Sequence, residues 1–208
     1  MIRGVYLILD PDQAGGHSAI EIAEAALRAG ASAIQWRQKT GSIAAHWLEI
    51  LAVRNLCLRR DVPFLINDRV DVALAVHADG AHVGQDDLPA DAARQLIPGK
   101  ILGVSVSRLA EIPAAAAAGA DYLGVGPIFP TPSKLDAAPA VGLGVLREAR
   151  LATTRPLVAI GGITPENAAQ VKAVGADAIA VISAICGVVD VGAATRTLAL
   201  AFEGLTVP

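Results

Sequence analysis

The chain has 208 residues with a formal net charge of −3 and no basic block, which argues against a nucleic-acid surface. Hydrophobic residues make up 53% of it and aromatic residues only 3%, so a core must be built from Ala, Val, Leu and Ile, the mixture of an α/β protein. Cys57 and Cys186 form neither a disulfide framework nor a metal-type spacing and are read as packed core thiols.

The first apolar run, Val5 to Leu9, is too short for a secretory leader and has no small-residue cleavage site. The longest apolar stretch, from Ile112 to Phe129, is interrupted by Asp121 and by several Gly and Pro. A soluble, cytoplasmic protein with no membrane segment is expected. In chain order the strand-like runs are Val5–Leu9, Ala33–Arg37, Phe64–Asn67, Ala81–Val83, Ile101–Ser105, Tyr122–Gly126, Leu157–Ile160 and Ala178–Ile182. Helical patterns lie between them. Ser18 and Glu21 make a capping box, Thr164-Pro165 opens a helix, and Leu109–Ala118 reads as an Ala-rich helix with Pro113 in its first turn.

A junction recurs ahead of four of these runs: Ala29-Gly30-Ala31, Asp79-Gly80-Ala81, Ala118-Gly119-Ala120 and Val174-Gly175-Ala176. Glycine in the left-handed conformation that ends a helix, followed at once by a buried strand, marks serial αβ units. Eight such units over residues 1–208 favour one domain, a single (β/α)8 TIM barrel, over an open doubly wound sheet. The Gly- and Pro-rich connection from Gly126 to Gly144 exceeds an ordinary loop and is read as functional.

A barrel gathers the residues at the strand ends on one rim. Here they are Gln35, Arg37 and Lys39, then Asn67 and Asp68, then Gln85, Asp86 and Asp87, then Ser105 and Ser107, then Thr131, Ser133 and Lys134, then Gly161-Gly162, and finally Ser183. Gly161-Gly162 and Ser183-Ala184-Ile185 follow strands seven and eight, where barrels hold phosphate on backbone N–H groups. Thr131 and Ser133 would add hydroxyls to that phosphate. Asp68 and Asp87, at neighbouring strand ends, suit Mg²⁺, which takes one or two carboxylates plus phosphate oxygens. Arg37, Lys39 and Lys134 would flank the ion and bind a pyrophosphate. No Ser-His-Asp triad, Walker loop or zinc site is evident, and His17, His46, His77 and His82 are read as structural or surface residues.

Six motifs in order resemble the thiamine-phosphate synthase family: residues 35–39 (QWRQK), 66–69 (INDR), 82–87 (HVGQDD), 103–105 (GVS), 126–134 (GPIFPTPSK) and 159–163 (AIGGI). The resemblance implies a (β/α)8 transferase that joins 4-amino-2-methyl-5-pyrimidinylmethyl diphosphate to hydroxyethylthiazole phosphate, giving thiamine phosphate and pyrophosphate. By position, it implies that Gln35, Arg37, Lys39, Asn67, Ser105 and Lys134 bind the pyrimidine diphosphate, with Arg37, Lys39, Ser105 and Lys134 serving catalysis. It implies that Asp68 and Asp87 hold Mg²⁺, and that Thr131, Pro132, Ser133, Gly162, Ile182 and Ser183 take the thiazole phosphate. Gln38 replaces a common Glu, and Pro132-Ser133 departs from the usual pair. Its partners would be two small phosphorylated substrates, and a homo-oligomer stays open. The rivals are a thiazole tautomerase of this fold, whose His past strand five is missing from Ser105 to Arg108, a sugar-phosphate epimerase, and a non-catalytic phosphate-binding barrel.

Overall fold

The computed structural model describes residues 2–131, 133 and 139–205. Eight parallel strands close into a barrel in sequence order, β8 returning to β1. The strands are β1 (Gly4–Leu9), β2 (Ala33–Trp36), β3 (Phe64–Asn67), β4 (Gly80–Val83), β5 (Ile101–Val106), β6 (Tyr122–Val125), β7 (Leu157–Ile160) and β8 (Ala178–Val181). The helices are α1 (Ala19–Arg28), α2 (Trp47–Leu58), α3 (Val70–Ala75), α4 (Ala90–Leu96), α5 (Ile112–Ala117), α6 (Gly142–Ala152), α7 (Pro165–Ala173) and α8 (Val191–Phe202). No helix among the described residues is long and apolar enough to cross a membrane.

Each helix packs an apolar stripe on the strands. In α1 that stripe is Ala19, Ile22, Ala23, Ala26 and Leu27, all buried, at the spacing of one helical face. Burying a side chain such as Ile22 contributes about 1.5–3 kcal/mol. The box at its start forms as expected, Ser18 and Glu21 bonding reciprocally. The segment predicted as one helix over Leu109–Ala118 starts instead as a 3₁₀ turn, Leu109–Glu111, and becomes α-helical only at Ile112. Pro113 sits at the start of that α-helix, where its missing N–H costs nothing.

Three of the four junction glycines hold the left-handed conformation expected of them: Gly30, Gly119 and Gly175, at φ 99°, 82° and 109°. Gly80 does not. The left-handed residue after α3 is His77, at φ 53°, and Gly80 is already the first residue of β4. Its lack of a side chain serves strand packing, because a Cβ there would lie 2.0 Å from the Ile101 carbonyl oxygen.

The same junctions carry a second device at the N-terminal ends of the strands. The carboxylates of Asp79, Asp121 and Asp177 accept the N–H groups of Phe64, Leu102 and Leu157 at 2.7–2.9 Å. Ser32 occupies the equivalent place, its hydroxyl donating to the Val5 carbonyl at 3.0 Å. Every second strand (β1, β3, β5 and β7) is thus anchored at its start by a polar side chain that precedes the next strand; in β3, β5 and β7 the carboxylate takes up a strand N–H, and in β1 the hydroxyl adds to the bond that the Ser32 N–H already makes to Val5.

Gly80→Ala should lower stability in urea unfolding by about 1–3 kcal/mol, the usual cost of overpacking. Unchanged stability would contradict the β4–β5 register.

Candidate functional site

The C-terminal strand ends open on a cavity of about 660 Å³. Lys39, Asn67, Asp68 and Asp87 line it from β2, β3 and β4. Thr131, Ser133, Gly162, Ile182 and Ser183 line it from β6, β7 and β8. Below lies a hollow of about 40 Å³ that reaches Gln35, Arg37 and Tyr6, with Asn67, His82 and Ser105 bordering both spaces. Pro132 and Lys134 lie outside the described residues.

On the first side, β3 ends at Asn67 and the chain turns at Asp68, which holds a left-handed φ of 61°. Aspartate is one of the few residues that tolerate this conformation, and such backbone strain concentrates at functional sites. The turn brings the Asp68 carboxylate to the Lys39 ammonium at 2.5 Å. Asp87, whose other contact is the Gly84 N–H at 2.8 Å, hydrogen-bonds to Asp68. Burial, then the hydrogen bond to Asp87, raises the Asp68 pKa. Burial works to raise Asp87 as well, but Asp68, the Gly84 N–H and the charge of Lys39 hold its carboxyl below the ordinary range. Burial opposes the Lys39 charge, yet Asp68 and Asp87 outweigh it and lift the Lys39 pKa. Two facing carboxyls beside one ammonium form a donor set that fits Mg²⁺, whose remaining ligands are phosphate oxygens and water. No group of three or more metal-ligating side chains occurs among the described residues. Asp86 is exposed and takes no part in this pair.

Gln35 and Arg37 sit deeper than the rim expected from sequence. Gln35, 3% exposed, lies within β2 and donates from Nε2 to the Tyr6 hydroxyl at 2.6 Å. Arg37, 6% exposed, bonds through Nη1 to Asp10, and its Nε is buried without a hydrogen-bond partner among the described residues. The reason is register: Ile8 pairs with Gln35 in the barrel wall, and the side chains of both enter the lumen.

The opposite side brings the expected hydroxyls together. Ser133 Oγ donates to Ser183 Oγ at 3.0 Å, and the Ser133 N–H donates to Thr131 Oγ1 at 3.2 Å. Gly161 and Gly162, at φ 98° and 61°, were expected to admit phosphate closely. Their closest approach is to protein: a Cβ on Gly161 would lie 2.5 Å from Pro127 Cβ, and one on Gly162 2.5 Å from the Pro130 oxygen. The segment after β6 is thereby strapped to β7, with Ile128 N–H on Ile160 oxygen at 2.8 Å and Phe129 N–H on Gly161 oxygen at 3.0 Å. After β8 the chain forms a hydrogen-bonded turn over 183–187 rather than the short helix such barrels often place there.

The floor carries residues that sequence reading passed over. His82, expected to be structural or at the surface, projects into the lumen between Tyr122 Oη and Ser105 Oγ, each at 2.8 Å. Tyr122 Oη lies 3.1 Å from Tyr6 Oη. With Gln35 donating at one end, a single direction satisfies the chain: Tyr6 donates to Tyr122, Tyr122 to His82 Nδ1, and His82 Nε2–H to Ser105. Burial raises the pKa of both tyrosines, so the two phenols keep their protons. A Ser–His pair therefore exists, but its third member is a phenol rather than the carboxylate of a hydrolase triad. The signal in the sequence was glycine on the neighbouring strands. A Cβ on Gly103 would lie 2.2 Å from Tyr122 Cζ and 2.4 Å from His82 Nδ1, and one on Gly124 3.0 Å from His82 Cε1.

The family profile described as thiamine monophosphate synthase matches residues 5–185. The chain belongs to the thiamine monophosphate synthase family. Thiamine-phosphate synthase of Chloroflexus aurantiacus is 50% identical over 194 residues, covering 93% of this chain and 90% of that protein. The enzyme of the same name from Methanospirillum hungatei is 49% identical over 197 residues, covering 94% and 96%. The solved thiamine phosphate pyrophosphorylase of Pyrococcus furiosus superposes with a TM-score of 0.88 at 40% identity, covering 97% of this chain and 96% of that one. Membership in the thiamine monophosphate synthase family makes the chain an enzyme of the transferase class. A 3-hexulose-6-phosphate synthase at 17% identity and a TM-score of 0.69 shares the barrel alone.

Tyr6→Phe and Tyr122→Phe should each lower stability by about 1–3 kcal/mol by leaving a buried partner unsatisfied. In thermal or urea unfolding the double variant should lose less than the sum, as members of one network do. Strict additivity would mean that the two hydroxyls do not share the chain.

Proposed function

We propose that the chain condenses 4-amino-2-methyl-5-pyrimidinylmethyl diphosphate with hydroxyethylthiazole phosphate, releasing pyrophosphate and giving thiamine phosphate. The observation that carries this reading is one cavity with two chemically different anion sides: paired carboxyls with a lysine across from hydroxyls and glycines. A diphosphate with its cation suits the first side and a monophosphate the second.

Asp68 and Asp87 would hold Mg²⁺, which supplies neutralisation of the charge that builds on departing pyrophosphate. Lys39 adds positive charge on the same oxygens, as would Lys134, and Arg37 adds its charge from the hollow beneath. The carbon–oxygen bond to the diphosphate breaks with its electron pair going to oxygen, and the pyrimidinylmethyl carbon is left cationic and stabilised by the ring amine. The thiazole nitrogen lone pair then forms the new carbon–nitrogen bond. No proton need be removed at either step, so the chemistry asks for no general base. Ser105 and Gln35 orient the pyrimidine, and Thr131, Ser133, Gly162, Ile182 and Ser183 hold the thiazole phosphate in line. Orientation of two bound partners and electrostatic stabilisation supply the rate, each tenfold needing about 1.4 kcal/mol. We place the reaction in the cytoplasm.

With both substrates present, pyrophosphate release should require Mg²⁺. Asp68→Asn and Asp87→Asn should each reduce it by about 100-fold while the melting temperature stays close to that of the parent protein. Release that is independent of Mg²⁺, or absent from folded protein, would overturn the reading. Lys134→Ala should raise the KM for the pyrimidine diphosphate more than that for the thiazole phosphate; equal effects would remove its assignment.

A further inference from the structure

The loop between β1 and α1 lines neither the open cavity nor the hollow beneath it, yet it touches both half-sites. Asp10, 2% exposed, accepts on Oδ2 from Arg37 Nη1 and from Gln13 Nε2, the latter at 3.1 Å, and on Oδ1 from the Asp12 N–H at 3.1 Å. Gln13 Nε2 also donates to the Ser133 carbonyl at 3.2 Å. Ser133 Oγ in turn meets Ser183 Oγ at 3.0 Å. An unbroken run of bonds therefore passes from Arg37 through Asp10 and Gln13 to Ser133 and Ser183, from the end of β2 to the end of β8.

The loop is seated firmly enough to act as a reference point. A Cβ on Gly15 would lie 2.4 Å from Gly187 Cα, and His17 Nε2 bonds the Val188 carbonyl at 3.1 Å, so the loop rests against the turn after β8. The Gln13 amide has two hydrogens, and both are used, one on Asp10 and one on Ser133. Its nitrogen is fixed between two oxygen acceptors, a place that a carboxylate of the same size cannot take. With Nη1 held by Asp10, the buried Nε of Arg37, a residue that lines the hollow, has no hydrogen-bond partner among the described residues.

We propose that Asp10 and Gln13 are positioning residues that join the two half-sites, Asp10 orienting Arg37 for the diphosphate and Gln13 pinning the Ser133 backbone for the thiazole phosphate. The assignment of ligands rests on the proposed reaction; the tie itself does not.

The test is steady-state kinetics together with amide hydrogen exchange of the full chain. Gln13→Ala should raise the KM for hydroxyethylthiazole phosphate by about three- to tenfold, the worth of one hydrogen bond, with the KM for the pyrimidine diphosphate within about twofold. Gln13→Glu should be worse than Gln13→Ala, although it is closer in shape. Asp10→Asn should reverse the split, acting on the pyrimidine diphosphate. In the free protein, Gln13→Ala should speed exchange in the peptide carrying Thr131 and Ser133 and leave the strands unchanged. Unchanged KM values with unchanged exchange would overturn the proposal. So would a general loss of kcat with faster exchange throughout the barrel, which marks a merely structural role. If the parent protein forms no thiamine phosphate, the reaction reading fails by itself. Exchange at Ser133 then decides the tie: acceleration supports it and no change overturns it.

Discussion

Pairing of β8 with β1, from Gly4 opposite Ala178 to Leu7 opposite Val181, closes the barrel and fixes how far apart the two sides of the cavity can be. In an open sheet those strands would be edges, and Ser183 would stand at the far side of the molecule from Asp10 and Arg37. Closure instead makes the β1 loop a neighbour of both β2 and β8. The cavity is the interior angle of that ring, and its two chemistries follow from chain order: acids and Lys39 on β2 to β4, hydroxyls and glycines on β6 to β8.

Within the ring, charge is placed where it can be used rather than where it stabilises. A buried ion pair such as Arg37–Asp10 gains little net stability, because desolvating both groups offsets their attraction. Asp68 and Asp87 are a second case: two carboxyls in contact disfavour joint ionisation, and the Lys39 ammonium offsets part of that repulsion. Beneath both groups, the chain from Gln35 through Tyr6, Tyr122 and His82 to Ser105 pairs the polar side chains of the floor with one another.

The strands were legible because each is a short run of buried apolar residues, and all eight fall within one residue of the sequence reading at either end. The rim was legible because Asp68, Lys39 and Ser183 follow those runs within three residues, and Asp87 and Ser133 lie in the loops that continue from them. What escaped has a common cause: the role belongs to a neighbour in space. Gly80 looked like a helix stop because helix-ending glycines precede other strands, whereas its constraint comes from Ile101 across the sheet. His82, between Ala81 and Val83, looked inert because its partners sit on β5 and β6. Gln13 carries no motif at all, and its significance is visible only once Ser133, 120 positions away, lies against it.

The central claim is that one cavity holds two anions at once on separate sides. It is tested most directly by calorimetric titration of Mg²⁺ and pyrophosphate into protein already saturated with hydroxyethylthiazole phosphate. The account predicts that pyrophosphate still binds, one per chain, with an affinity within about tenfold of that for the free protein, a coupling of about 1.4 kcal/mol at most. Loss of pyrophosphate binding under saturation would show a single shared anion site and contradict it.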